Sequence, residues 1–181
     1  KELEQMLEFA VKLKKPVIIR YPRGGENSNI KFDKHNKIEL GKAEVLQEGK
    51  DITIIAIGKM VSKTIEMAEK FKQQQINAEV INARFLKPLD EETIKKSIEK
   101  TKKVITIEDG TKINGLATAV KELIIDNNLQ NVKVTSIAYP DEFIKHGSTN
   151  EIEEKYGLDV GSIVECLNSQ EKNIKIVSTS C

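Results

Sequence analysis

From residue 52 onward the chain alternates four times between a short run suited to a buried strand and a longer segment with helical spacing. Few folds accept that order. The first run, "ITIIAI" at 52–57, is followed by Val61, Ile65, Ala68 and Phe71 at offsets of four, three and three. That spacing gives a helix one apolar face, and Ser62 stands near its start. "AEVINARF" reads as the next strand and "LDEETIKKSIEK" as the next helix, with Asp90 as its N-cap. "KVITIE" is the third strand of the series, and a helix is expected from about Ile113 to Asp126 with Leu116, Ala117, Val120, Leu123 and Ile124 on one face. "VKVTSIA" is the last strand, followed by shorter helices around Glu151–Tyr156 and Val160–Leu167. Runs that are apolar throughout belong to strands covered on both sides. The order therefore predicts an α/β domain whose mostly parallel sheet carries helices on both faces.

Upstream, a helix is expected over about 1–14, with Leu3, Met6, Leu7 and Ala10 in its pattern, and then the apolar run Val17-Ile18-Ile19, read as the end of a strand. Gly24 to Lys37 is polar, contains "GGENSN" and reads as a linker. "IELGKAEVLQEG" looks extended, and Gly49-Lys50-Asp51 supplies a turn into the first buried run. The final "NSQEKNIKIVSTSC" has no clear period and reads as a frayed tail.

Charge narrows the function classes. Lys and Arg number 29 against 28 Asp and Glu, a net charge of +1, so nothing points to nucleic acid or to an anionic membrane surface. No stretch approaches the ~20 consecutive apolar residues that span a bilayer, and the charged opening "KELEQMLEFAVKLKK" is unlike a secretory signal. The expectation is a cytoplasmic protein. Cys166 and Cys181 have no His or Cys partner at metal spacing and are read as reduced and incidental. Because the chain opens at Lys1 within a helical pattern, a cut inside a longer polypeptide is expected.

Four stretches carry residues with chemical potential. In "RYPRGG", Arg20 and Arg23 offer forked donors that match phosphate or carboxylate, Pro22 stiffens the turn between them, and Gly24 and Gly25 let backbone approach a ligand. Spacing alone favours a solvated turn whose arginines pair with surface acids, and it does not choose between the two. In "IEDG", Glu108 is a candidate acid–base group, but the favoured reading is a strand-to-helix turn with Asp109 capping and Gly110 supplying a special backbone angle. In "NARFLKPLD", Arg84 and Lys87 stand between a strand and a helix; a structural ion pair for Arg84 is favoured over anion or partner binding, with Pro88 and Asp90 organising the helix start. His35 falls in the linker. His146, in "YPDEFIKHGST", is a lone histidine without a nucleophile or metal ligands in its segment, and Phe143 and Ile144 beside it read as docking groups. The residues present supply no nucleophile–base pair, metal-ligand set or cofactor motif.

Taken in order, "RYPRG", "GKAEVLQEGKDITIIAIG", "NARFLKPLDEETI", "TIEDG" and "YPDEFIKHGSTNEIEEKYGLD" resemble the carboxy-terminal part of the 1-deoxy-D-xylulose-5-phosphate synthase family, a transketolase-like family dependent on thiamine diphosphate. "FLKPLD" is shared widely among transketolases and 2-oxoacid dehydrogenase β subunits; the "PDEFIKHGS" to "GLD" ending is the more specific signal. The resemblance implies a transketolase C-terminal-like three-layer domain over 36–167, the end of a pyrimidine-binding domain and linker over 1–35, and a tail over 168–181. It implies a parent enzyme that condenses pyruvate with glyceraldehyde 3-phosphate and loses CO2, with thiamine diphosphate and Mg2+ held by earlier domains and none bound to this part. It implies a homodimer in which these residues serve packing and substrate-phosphate binding, inactive by themselves. Carried over, Arg23 matches the second arginine of the family's "RYPRG" motif, similar to a group that binds the phosphate of the aldehyde substrate, and Arg20 matches the first, in a supporting role. The chain departs from the family at "IEDG", where synthases often read "EEN". The rival readings are a transketolase or 2-oxoacid dehydrogenase β-subunit domain and, from another class, a free-standing α/β binding module.

Overall fold

The computed structural model describes residues 1–22 and 37–167. Among them, helix α1 (Glu2–Leu13) is followed by β1 (Glu44–Gln47), β2 (Ile52–Ala56), α2 (Met60–Gln73), β3 (Ala78–Asn82), α3 (Glu91–Thr101), β4 (Lys103–Thr111), α4 (Leu116–Asp126), β5 (Lys133–Tyr139) and α5 (Thr149–Lys155). Residues 160–167 form a further helix, α6. The His35 expectation, the linker and the tail fall outside the described residues, as does Arg23.

The strands form one sheet in the order β1-β3-β2-β4-β5, in which β1 runs antiparallel to β3 and the other neighbours are parallel. The chain moves from β2 outward to β3, crosses back past β2 to β4, and continues to β5. Right-handed crossovers that travel in opposite directions place their helices on opposite faces. The two cores show that division. On one face Ile54, Ala56, Ile105 and Ile107 pack with Met67 and Phe71 of α2 and with Leu158 and Ile163. On the other, Ile55, Ile81 and Val104 pack with Ile94 and Ile98 of α3 and with Leu116 and Val120 of α4. Successive residues of one strand point to opposite sides, so a run such as Ile54-Ile55 feeds both cores at once. Removing each such isoleucine from water stabilises the fold by roughly 1.5–3 kcal/mol.

Thr53 is the polar exception on β2. Its buried hydroxyl is paired with Ser97 Oγ at 2.6 Å and Thr101 Oγ1 at 2.7 Å on α3, so the polar group is satisfied where it is covered. Gly49 answers to a close approach: a Cβ there would stand 2.2 Å from the backbone of Ala78 and Glu79.

One upstream expectation changes. The run Val17-Ile18-Ile19 is in no strand, and Ile18 is 94% exposed. An apolar run becomes a strand only where a neighbour supplies the hydrogen-bond ladder, and no described strand runs beside it. Helix α1 forms as expected yet buries no residue; Leu3, Leu7 and Val11, at helical spacing, face outward.

Asp90 caps α3 as its sequence position predicts. Its carboxylate accepts from Thr93 N at 3.2 Å and Thr93 Oγ1 at 2.9 Å, and from Ala43 N at 3.0 Å, with Lys42 Nζ 3.7 Å away. Burial alone raises its pKa, but these amides, the hydroxyl and the lysine outweigh burial and hold the carboxyl below the ordinary 3.8. A carboxyl depressed on folding adds stability that is complete above its unfolded pKa and is lost as pH falls through the folded one. Asp90→Asn, which keeps shape and removes charge, is expected to lower unfolding stability at pH 7 by about 0.5–1.5 kcal/mol. In urea titrations from pH 7 downward, the gap between variant and parent should narrow on the acidic side of 3.8; a constant gap would separate the cap from its charge.

Candidate functional site at the carboxyl edge of the sheet

The connections from β2 and β4 leave toward opposite faces, which makes the carboxyl ends of these neighbours the crevice where open α/β sheets gather ligands. On the β2 side Gly58 turns with φ +65° into α2, and Lys59 precedes the first turn. On the β4 side the strand continues through Asp109 and Gly110 to Thr111.

Here the structure corrects the "IEDG" reading. The stretch is strand, Gly110 has no positive φ, and α4 begins at Leu116 with Gly115 as N-cap rather than at Ile113. The cap is Glu108: its carboxylate accepts from Leu116 N at 2.9 Å and Ala117 N at 3.1 Å. Strand parity gives the reason. Glu108 shares the face of Val104, under α4, whereas Asp109 shares the face of Ile105 and Ile107, toward α2 and α5. A carboxylate beneath unpaired amides at a helix start satisfies donors the helix leaves open. Gly115 lets it approach, since a Cβ there would lie 2.1 Å from Glu108 Oε2.

Asp109 joins a charge cluster on the opposite face. Lys59 Nζ lies 3.1 Å from Asp109 Oδ2 and 3.1 Å from Glu153 Oε1 of α5, and Lys63 Nζ lies 2.5 Å from Glu153 Oε2 and donates to the Leu158 carbonyl at 3.0 Å. Burial lowers the Lys59 pKa, but Glu153 and Asp109 outweigh it and raise the value above 10.5, so the ammonium stays charged. Burial also raises the Tyr139 phenol nearby, helped by the Asp109 charge. Each cation of the cluster faces a carboxylate, which leaves a clasp rather than an acid–base pair. Sequence reading missed Lys59, Lys63 and Glu153; the lysines stand four apart at the start of α2 and so share a face, the one available signal.

Arg20 reaches this edge from the amino-terminal segment: Nη2 donates to the Asp109 carbonyl at 2.8 Å. Arg84 makes the structural ion pair expected of it. With φ 54° it turns sharply after β3, and its guanidinium, 2% exposed, lies 2.7 Å from Glu2 Oε1 of α1 and 2.5 Å from Glu44 Oε2 of β1. Asn82 Nδ2 also donates to Glu2, and Phe9 meets Phe85 edge to face with centroids 6.0 Å apart. Lys87, His146 and Phe143 are exposed. Cys166 is exposed.

Among the described residues no group of three or more His, Cys, Asp or Glu is placed to hold a metal ion. The lysines of the crevice are already neutralised by Asp109 and Glu153.

The model of the transketolase C-terminal domain family matches residues 41–163, and the chain belongs to that family. It is 40% identical over 171 residues to a protein named 1-deoxy-D-xylulose-5-phosphate synthase from Desulforudis audaxviator, covering 94% of this chain and 27% of that one. It is 42% identical over 165 residues to a protein of the same name from Halothermothrix orenii, covering 91% of this chain and 26% of the relative. The chain therefore spans about a quarter of the length of these relatives. Among solved structures it is similar to one described as "Split gene transketolase, inactive beta4 tetramer", with a TM-score of 0.80 and 32% identity over 91% of this chain and 53% of that one.

The Arg84 site generates a stability prediction. Breaking a buried ion pair leaves an uncompensated charge and costs about 3–5 kcal/mol, so Arg84→Met should lower the urea midpoint strongly. Adding Glu44→Gln should recover part of the loss, because the stranded carboxylate is then removed. Equal loss in the single and double variants would show that the guanidinium acts by packing instead.

Proposed function

We propose that this chain is the carboxy-terminal part of an enzyme that condenses pyruvate with glyceraldehyde 3-phosphate to 1-deoxy-D-xylulose 5-phosphate with loss of CO2. The observation that carries the reading is similarity along nearly the whole chain, at 40–42% identity, to relatives bearing that name. Thiamine diphosphate, which supplies the carbanion chemistry of such a condensation, and Mg2+ belong in this reading to residues outside the chain.

The role proposed for the chain is support and substrate handling. Among the described residues, the lysines of the crevice are paired with Asp109 and Glu153, which agrees with a supporting domain. The outward Leu3, Leu7 and Val11 of α1, together with Ile18, agree with a face that packs against the remaining domains of the same enzyme or of its dimer mate. Arg23 is proposed to bind the phosphate of the aldehyde substrate, since a forked guanidinium matches phosphate oxygens and keeps its charge. A transketolase reading is retained by the similarity to the split-gene structure.

The full-length enzyme supplied with thiamine diphosphate and Mg2+ is expected to form deoxyxylulose phosphate from the two substrates, whereas residues 1–181 alone give no turnover. Ketol transfer from a ketose phosphate without use of pyruvate would establish the transketolase reading instead. In the same enzyme, Arg23→Ala should weaken use of glyceraldehyde 3-phosphate by about 1.5–3 kcal/mol in kcat/KM, with pyruvate changed much less. Equal losses for both substrates would refute the assignment of Arg23.

A further inference from the structure

Thr106 of β4 is 1% exposed, and among the described residues neither its Oγ1 nor the buried Oγ of Ser136 on β5 has a hydrogen-bond partner. The ladder sets the two side by side, since Thr106 is in register with Ser136 just as Val104 is with Val134. Parity gives their face. Val104 and Val134 belong to the core beneath α3 and α4, so Thr106 and Ser136, two residues further along each strand, point into the same layer. Glu108 comes next on that face of β4, with its carboxylate beneath the start of α4.

Thr53 shows how this layer satisfies a hydroxyl elsewhere, by pairing it with Ser97 and Thr101 of α3. No such pairing is open to Thr106 from above, because the residues that α4 buries are Leu116, Ala117, Val120 and Leu123, all apolar. Buried polar groups without a protein partner are met by internal water, which requires about two to four polar groups around it. Neighbouring strands stand about 4.8 Å apart, so hydroxyls on adjacent strands can both reach one oxygen between them at ordinary hydrogen-bond length.

We propose that Thr106, Ser136 and Glu108 form an internal water site between β4, β5 and the first turn of α4. One water molecule accepts from each hydroxyl and donates to the Glu108 carboxylate, whose two oxygens each keep acceptor capacity beyond the bond to the Leu116 or Ala117 amide. It links the edge strand β5 to the carboxylate that caps α4.

The test joins a high-resolution crystal structure of the chain with urea titrations of its variants. One water is expected within hydrogen-bond reach of Thr106 Oγ1, Ser136 Oγ and a Glu108 carboxylate oxygen, and it should be gone from Thr106→Val/Ser136→Ala. A direct bond between the two hydroxyls, or density beside neither of them, overturns the proposal. Thr106→Val keeps the shape of the side chain and removes the hydroxyl. It and Ser136→Ala should each raise the unfolding equilibrium constant about fivefold, the size of one net hydrogen bond. The double variant should fall short of the product of the two effects, because both act through the same water. A Thr106→Val protein as stable as the parent, or losses that multiply in full, would overturn the site as well.

Discussion

Glu108 and Asp109 are adjacent on β4, and because neighbouring strand residues point to opposite faces they bind opposite layers of the domain. Glu108 holds the amino-terminal amides of α4 on one side. Asp109 holds Lys59 ahead of α2 on the other, and through Glu153 that contact includes α5. Two consecutive carboxylates thus tie both helical layers to the end of one central strand. The backbone carbonyl of Asp109 takes in addition the guanidinium that sets the amino-terminal segment. A change in the local twist of β4 would be felt in both helical layers.

That concentration of charge also lies at the position where open α/β sheets gather ligands. The segment 2–20 is anchored at the end of β3 through Glu2 and Arg84 and at the end of β4 through Arg20. In the sheet order β2 lies between those strands, so the segment passes the point where the topology opens. Lys59 and Lys63 are engaged by carboxylates rather than free for a phosphate. Lysines at a position where open α/β sheets gather ligands are used here to hold the chain together.

The strand and helix order was legible because it rests on local periodicity. Asp90 was legible as a cap for the same reason, since its amide partner Thr93 is three residues away. The misreading of "IEDG" came from ending the strand too early: with β4 extended to Thr111, counting parity from Val104 puts Glu108 on the α4 face without further information. Partners of Arg84 were out of reach of such counting. Glu2 and Glu44 are 82 and 40 residues away, and only the placement of β3 between β1 and β2, with α1 laid across its end, brings them together. The run Val17-Ile18-Ile19 shows the opposite failure, in which local pattern was sound but the ladder it calls for is not among the described strands.

Helix α1 has the least support of any element and is informative for that reason. A 12-residue helix is marginal in water on propensity alone, and this one buries no residue to make up the difference. Its ties to the domain are the Glu2 contacts with Asn82 and Arg84 and the edge contact of Phe9 with Phe85. Such ties fix direction better than they supply stability, because the Glu2 carboxylate is partly exposed and an exposed pair contributes about 0–1 kcal/mol. The stabilising area must come from whatever covers Leu3, Leu7 and Val11. Polar contacts orient α1 on the sheet edge, and they leave its apolar stripe of Leu3, Leu7 and Val11 facing outward.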